Sequence, residues 1–171
     1  SHRRGPYANG AIVVPVKASE TLFGGLEKQR SLEKAAFECG GKNYTAPAQS
    51  IKAFIENKTD SSPLSSTTYP CGLLPSNLHD WFDKEIAESL AEGFLNFEKK
   101  IPGFINEGLI IAPETRTSSP LRIPRHPDTL ESLNTRGLFL LGEGAGYSGG
   151  IVTSAADGMR FAYRAKLSEK F

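Results

Sequence analysis

Apolar positions along the chain fall into short runs and helical stripes punctuated by glycine, proline and serine. Ala11–Val16 (Ala-Ile-Val-Val-Pro-Val) is continuously apolar and predicts a buried strand, with Pro15 placing it at a sheet edge or a strand end. From Leu26 to Cys39, the positions Leu26, Gln29, Glu33, Ala36 and Phe37 recur at helical spacing, and Gly40-Gly41 supplies the stop. A short helix is expected across Gln49–Ile55, carrying Ile51, Phe54 and Ile55. Residues 57–68 are rich in Ser, Thr, Asp and Pro and read as a surface loop, the best place in the chain for disorder. Ser76 is positioned to cap a helix over Leu78, Trp81 and Phe82. A longer amphipathic helix from Asp83 to Lys99 puts Ile86, Leu90, Phe94 and Phe97 on one face. Leu109–Ala112, Leu121–Ile123 and Gly137–Leu141 predict three more strands, and Ala155–Lys166 a last helix.

Between the last strand and the last helix lies the densest glycine cluster, Gly142-Glu-Gly-Ala-Gly-Tyr-Ser-Gly-Gly150. Gly144, Gly146 and Gly149 satisfy G-x-G-x-x-G, the spacing that lets a backbone approach a pyrophosphate at a helix N-terminus. That fingerprint belongs to a βαβ unit with an acidic residue closing a second strand about 20 positions on. Glu169 lies near that distance, but a continuous helix precedes it in place of a strand. The turn is therefore expected to be a glycine-lined ligand surface other than the dinucleotide fingerprint. Its alternative role is close helix–strand packing alone.

Three further groups could carry chemistry. Glu114-Thr-Arg-Thr-Ser-Ser119, flanked by Pro113 and Pro120, sets the Arg116 guanidinium beside the hydroxyls of Thr115, Thr117 and Ser118, with Arg122 and Arg125 following. This suits an anion or a carbonyl, and equally a solvated loop. Gln29, Arg30 and Glu33 share one helix, with Gln49 beyond it; polar side chains on a core-facing stripe either line a cavity or pair with backbone groups. Asp157 can bond backbone amides or face water, and the second is expected. Tyr69 and Tyr147 read as packing residues. No spacing defines a Ser-His-Asp, Cys-His or paired-carboxylate arrangement, so the catalytic residues are unknown.

The 171 residues, 39% hydrophobic and 23% charged, suit a globular domain with a real core. A net charge of +1 gives no electrostatic reason to expect nucleic acid or an anionic membrane as partner. With no long apolar run and no signal-like segment, the expected location is cytoplasmic. Cys39 and Cys71 read as free thiols, and His2, His79 and His126 lack metal-ligand spacing, so no metal is expected. The start at Ser1 suggests a fragment or a processed chain.

The segments Ser1–Val14, Gln29-Arg30, Gly40-Gly41, Pro47-Ala-Gln49, Ile101-Pro-Gly-Phe104, Glu114–Pro120 and Gly142–Ile151 together resemble the C-terminal part of the bacterial uncharacterised FAD-dependent dehydrogenases. The resemblance covers nearly the whole chain, and its most specific pieces are Glu114–Pro120 and Gly142–Gly158. It implies an α+β chain: an inserted substrate-side domain with mixed or antiparallel strands and packed helices (1–125), then the closing strand and helix of a Rossmann-like FAD domain (126–171). The N-terminal FAD-binding portion would be absent. It further implies that Gly142, Glu143, Gly144, Gly149, Gly150 and Ile151 neighbour the ribityl chain and isoalloxazine ring of FAD, with Arg116, Thr117 and Ser118 close to the ring.

The expected function is therefore part of an FAD-dependent oxidoreductase acting on an unknown small-molecule substrate, with the isolated segment inactive by itself. Self-association through the exposed C-terminal strand and helix is a further expectation. The alternatives are a non-catalytic module binding an anion, a nucleotide or a protein, and an inert isolated domain.

Overall fold

The computed structural model describes residues 5–17 and 20–167; His2 and Glu169 lie outside them. The chain is mixed α+β. Its described elements, in order, are α1 (Gly24–Cys39), β1 (Ala46–Ser50), α2 (Ile51–Ile55), β2 (Leu73–Pro75), a 3-10 turn (Leu78–Asp80), α3 (Lys84–Glu98), α4 (Phe104–Glu107), β3 (Leu109–Ile111) and α5 (Ile151–Leu167). They divide between two compact units, 1–17 with 29–115, and 18–28 with 116–171.

The first unit is built on a small sheet in the order β2-β1-β3. β1 pairs parallel with β2 (Ala46↔Leu73 to Ala48↔Pro75) and antiparallel with β3 (Ala48↔Ile111 to Ser50↔Leu109). The sequence pattern hid this central strand, because Ala-Pro-Ala-Gln-Ser has neither alternation nor β-branched residues and a proline normally marks an edge. Pro47 sits where the ladder closes: its carbonyl accepts from the Ala112 N–H at 3.2 Å, and it has no N–H to return. The helix expected from Gln49 thus begins two residues later. Ser50 caps it, its hydroxyl accepting from the Ala53 N–H at 3.1 Å while donating to Asp60 at 2.6 Å. Asp60 also accepts from the Ser50 N–H at 2.8 Å, fixing the start of the serine-rich loop.

The core joins Ile51 and Phe54 of α2, Leu78, and Ala87, Leu90 and Phe94 of α3. Phe54 and Phe94 meet edge to face, ring centroids 5.7 Å apart. Gln49 is fully buried among them and fully used. Its amide donates to the Lys58 carbonyl at 2.6 Å and lies 3.4 Å from Asn77 Oδ1, and its carbonyl accepts from the Leu78 N–H at 3.0 Å. The cap of the 3-10 turn is Asn77, not Ser76, because the Asn77 side chain reaches the His79 N–H. After α3, the Glu98 carboxylate accepts from the N–H groups of Gly103 and Ile105 at 2.9 and 2.7 Å, which gives Ile101-Pro-Gly-Phe104 a structural role. These N–H bonds, that of Ile105 first, hold the Glu98 carboxyl below its ordinary range.

Three expected strands are not formed. Ala11–Val16 and Leu121–Ile123 are without regular structure, and Gly137–Leu141 contributes one isolated bridge, Phe139↔Glu131. An apolar run becomes a strand only where another strand accepts its backbone groups. Ile12, Val13, Val16 and Leu138 accordingly stand exposed.

Candidate functional site

The glycine turn lies in the second unit, held by one buried ion pair. Arg125, from the segment before it, binds Asp157 of α5 through both guanidinium nitrogens, at 2.7 and 2.8 Å. The same guanidinium donates to the Leu140 carbonyl, and Asp157 accepts from the Gly142 N–H at 3.0 Å. Both side chains are more than nine-tenths buried. Asp157, expected to face water, is instead the pin that joins the start of the turn to the helix. The Arg125 hydrogen bond, assisted by the Gly142 N–H, holds its carboxyl below the ordinary range against the opposing effect of burial.

Tyr147 completes the lock. The Arg122 and Arg125 guanidinium groups lie 4.4 and 3.8 Å from its ring centroid, and its hydroxyl accepts from the Arg125 N–H at 3.1 Å. Arg125 is thus fully committed to structure, whereas Arg122 is exposed.

The glycines of the turn separate into two kinds. Gly146 is demanded by the chain itself, since its φ is +79° and a Cβ there would lie 2.4 Å from the Leu121 carbonyl oxygen. Gly144 and Gly149 have no such reason: a Cβ on either would meet nothing within 4 Å. A turn that omits side chains where the protein has ample room offers bare backbone to whatever lies outside it.

The two segments singled out in the sequence meet here. The Ser119 hydroxyl lies 2.8 Å from the Leu121 carbonyl and 3.4 Å from that of Gly144, and the Ile123 N–H donates to the Ala145 carbonyl at 3.2 Å. Arg116, Thr117 and Ser118, immediately before Ser119, are exposed, as are Glu143, Gly144 and Gly149. Gly150 and Ile151 open α5, where the Ser154 N–H donates to the Gly150 carbonyl at 2.9 Å, and a helix N-terminus of this kind presents the positive end of its dipole.

The polar stripe on α1 does not line a cavity. Gln29 donates to the Thr115 carbonyl at 2.9 Å and Glu33 accepts from the Thr115 hydroxyl at 2.8 Å, so the stripe fastens the start of the 114–119 loop; Arg30 is exposed. A hollow of about 370 Å³ that the sequence did not announce is lined by Asn57, His79, Phe82, Lys84, Ala87 and Glu88. Its polar groups are largely paired, His79 Nε2 with the Phe54 carbonyl at 2.8 Å and Lys84 with Glu88 at 3.6 Å.

The chain is thus a mixed α+β protein with an exposed glycine turn running into the N-terminus of α5. More narrowly, the chain belongs to the family described as FAD-dependent protein, C-terminal domain-like, whose model matches residues 1–117. The match takes in Arg116 and Thr117 and stops before the glycine turn. The chain is also 41% identical, over 172 residues, to an uncharacterised protein of Clostridium beijerinckii. The alignment covers 96% of this chain and 31% of that protein, so the chain spans about a third of its relative's length. Among the described residues no helix is long and apolar enough to cross a membrane.

Proposed function

We propose that this chain supplies the ring-side wall of the FAD site in an oxidoreductase, and carries a substrate-side domain as well. The observation that carries this is the pair Gly144 and Gly149, bare where packing does not require it, in a member of an FAD-dependent family. On this reading the second unit ends as the closing strand and helix of a Rossmann-like FAD domain, with Gly137–Leu141 completing a strand in the longer protein.

Bound FAD would supply the hydride chemistry. Glu143 would accept hydrogen bonds from ribityl hydroxyls, and Gly144, Gly149 and Gly150 would let main-chain N–H groups reach the ring edge, while the Gly142 N–H stays with Asp157 and fixes the start of the turn. The start of α5 at Ile151 would set its partial positive charge where a reduced ring gathers negative charge. Arg116, Thr117 and Ser118 would bound the ring or orient a small-molecule substrate through a planar fork and two adaptable hydroxyls. No residue is assigned a catalytic step.

The experiment is flavin retention in the full-length protein containing this chain. Gly149→Val, placed where a Cβ meets no protein atom within 4 Å, is expected to leave the fold intact and to reduce FAD occupancy by at least about tenfold. Glu143→Ala is expected to weaken it less. A Gly149→Val protein with wild-type flavin content would remove the assignment. Saturable binding of phosphate or ADP by the isolated chain, without preference for FMN or FAD, would favour a nucleotide-binding module instead.

A further inference from the structure

Arg122 is held in place yet left without a partner charge. Its guanidinium lies over the Tyr147 ring, 4.4 Å from the centroid, and its backbone is wedged against the glycine turn. A Cβ on Gly146 would come within 2.9 Å of the Arg122 Cα, and the next residue, Ile123, donates its N–H to the Ala145 carbonyl at 3.2 Å. The ring under Arg122 is itself braced, because the Tyr147 hydroxyl accepts from the Arg125 N–H and the Arg125 guanidinium lies 3.8 Å from the ring centroid. Other arginines of the second unit are taken up by the fold. Arg125 pairs with Asp157, Arg160 donates to the Pro127 carbonyl, and Arg164 reaches Asp128 and the same carbonyl. Among the described residues, no carboxylate or carbonyl engages the Arg122 guanidinium, which stands exposed. Its positive charge is therefore uncancelled, whereas that of Arg125 on the same ring is balanced by Asp157.

A guanidinium over an aromatic ring keeps N–H donors free along its edge, in the planar fork that matches a carboxylate. The ring also removes rotamer freedom that an oxyanion contact would otherwise cost. A guanidinium needed only for solubility would require no such shelf. We propose that Arg122 anchors the carboxylate of the small-molecule substrate, so that the substrate is an organic acid. The proposal rests on the flavin reading and narrows it. Arg122 packs on Gly146, between the bare Gly144 and Gly149 assigned to the ring, which sets its charge at the ring end of the turn. One fork matches one planar carboxylate; the pyrophosphate of FAD is the competing oxyanion, and the test separates the two.

The test uses the flavin-loaded full-length protein containing this chain. It is titrated with acetate and benzoate, and with acetamide and benzamide as uncharged controls, while the visible spectrum of the flavin is followed. A carboxylate is expected to shift the spectrum saturably, with its amide at least about tenfold weaker. Arg122→Gln is expected to weaken the carboxylate at least about tenfold at unchanged flavin content and to abolish its advantage over the amide. Arg122→Lys, which keeps the charge and loses the fork, should recover part of that advantage. A flavin-loaded protein blind to both carboxylates, or an Arg122→Gln protein that binds them as the wild type does, overturns this proposal alone. Loss of flavin from a folded Arg122→Gln protein overturns it in favour of the FAD pyrophosphate. A protein that stays colourless with FAD in excess overturns the flavin reading and this one with it. Should both variants fail to fold, phenylglyoxal labelling of the wild-type holoprotein decides, read peptide by peptide by mass spectrometry. Protection of Arg122 by the carboxylate, with the exposed Arg136 labelled at an unchanged rate, supports the anchor. Equal labelling of Arg122 with and without the carboxylate contradicts it.

Discussion

α3 and α5 are helices of similar length that treat water in opposite ways. α3 buries Ala87, Leu90 and Phe94 and turns Lys84, Glu85, Glu88 and Glu92 outward, so its apolar face is spent within the first unit. α5 buries a carboxylate and leaves Ile151, Val152, Met159 and Tyr163 in solvent. An amphipathic pattern shows that a helix has two faces. Which face turns inward depends on the groups around it, and around α5 these include Arg125 and the carbonyl of Leu140.

The largest expected effects probe what each helix buries. Phe94→Ala should cost about 3–5 kcal/mol, read by denaturant unfolding of the first unit, because a ring in edge contact with Phe54 leaves a cavity. Asp157→Ala should cost a similar amount, about 3–5 kcal/mol, read in the second unit, because it strands the buried Arg125 guanidinium. If Asp157→Ala were neutral, the contrast between the two helices would collapse.

Acid tests the same pair with a defined sign. The folded-state carboxyl of Asp157 is held low, so its contribution is fully present above the unfolded value of about 3.9 and is lost as pH falls through the folded value. Unfolding of the second unit, followed by the near-ultraviolet signal of Tyr147, should lose stability below about pH 4 in the wild type. Asp157→Asn should lack that slope.

A smaller loss is expected inside the first unit. Gln49→Leu keeps the burial but orphans the Leu78 N–H and the Lys58 carbonyl, for about 1–3 kcal/mol. The smallest effect sharpens the comparison most: Val152→Ser should change the stability of this chain by less than about 0.5 kcal/mol, since Val152 is already in water. A substantial loss there would mean that the outer face of α5 is packed after all.

The helices were legible in the sequence because each carries a periodic stripe over several turns. α1, α3 and α5 lie close to where the spacing puts them. β1 was not, because a strand of Ala-Pro-Ala-Gln-Ser is specified by β2 and β3 on either side and by a buried glutamine bound to a turn, all of them distant in sequence. The unformed strands erred the other way: Ala11–Val16 has the composition of a strand but no partner among the described residues. In the site, the glycine cluster and the Arg116–Ser118 hydroxyls were visible from residue type. Their approach through Ser119 and Gly144 was not, nor was the Arg125–Asp157 pair, since a separation of 32 residues leaves no local signature.

The central claim is that this chain forms one wall of a flavin site completed by a longer polypeptide. Purifying the intact C. beijerinckii protein and recording its visible spectrum, as isolated and after addition of FAD, tests it most directly. The account predicts flavin absorbance that stays with the folded protein through gel filtration and is released on denaturation. A folded protein that remains colourless with FAD in excess would contradict it.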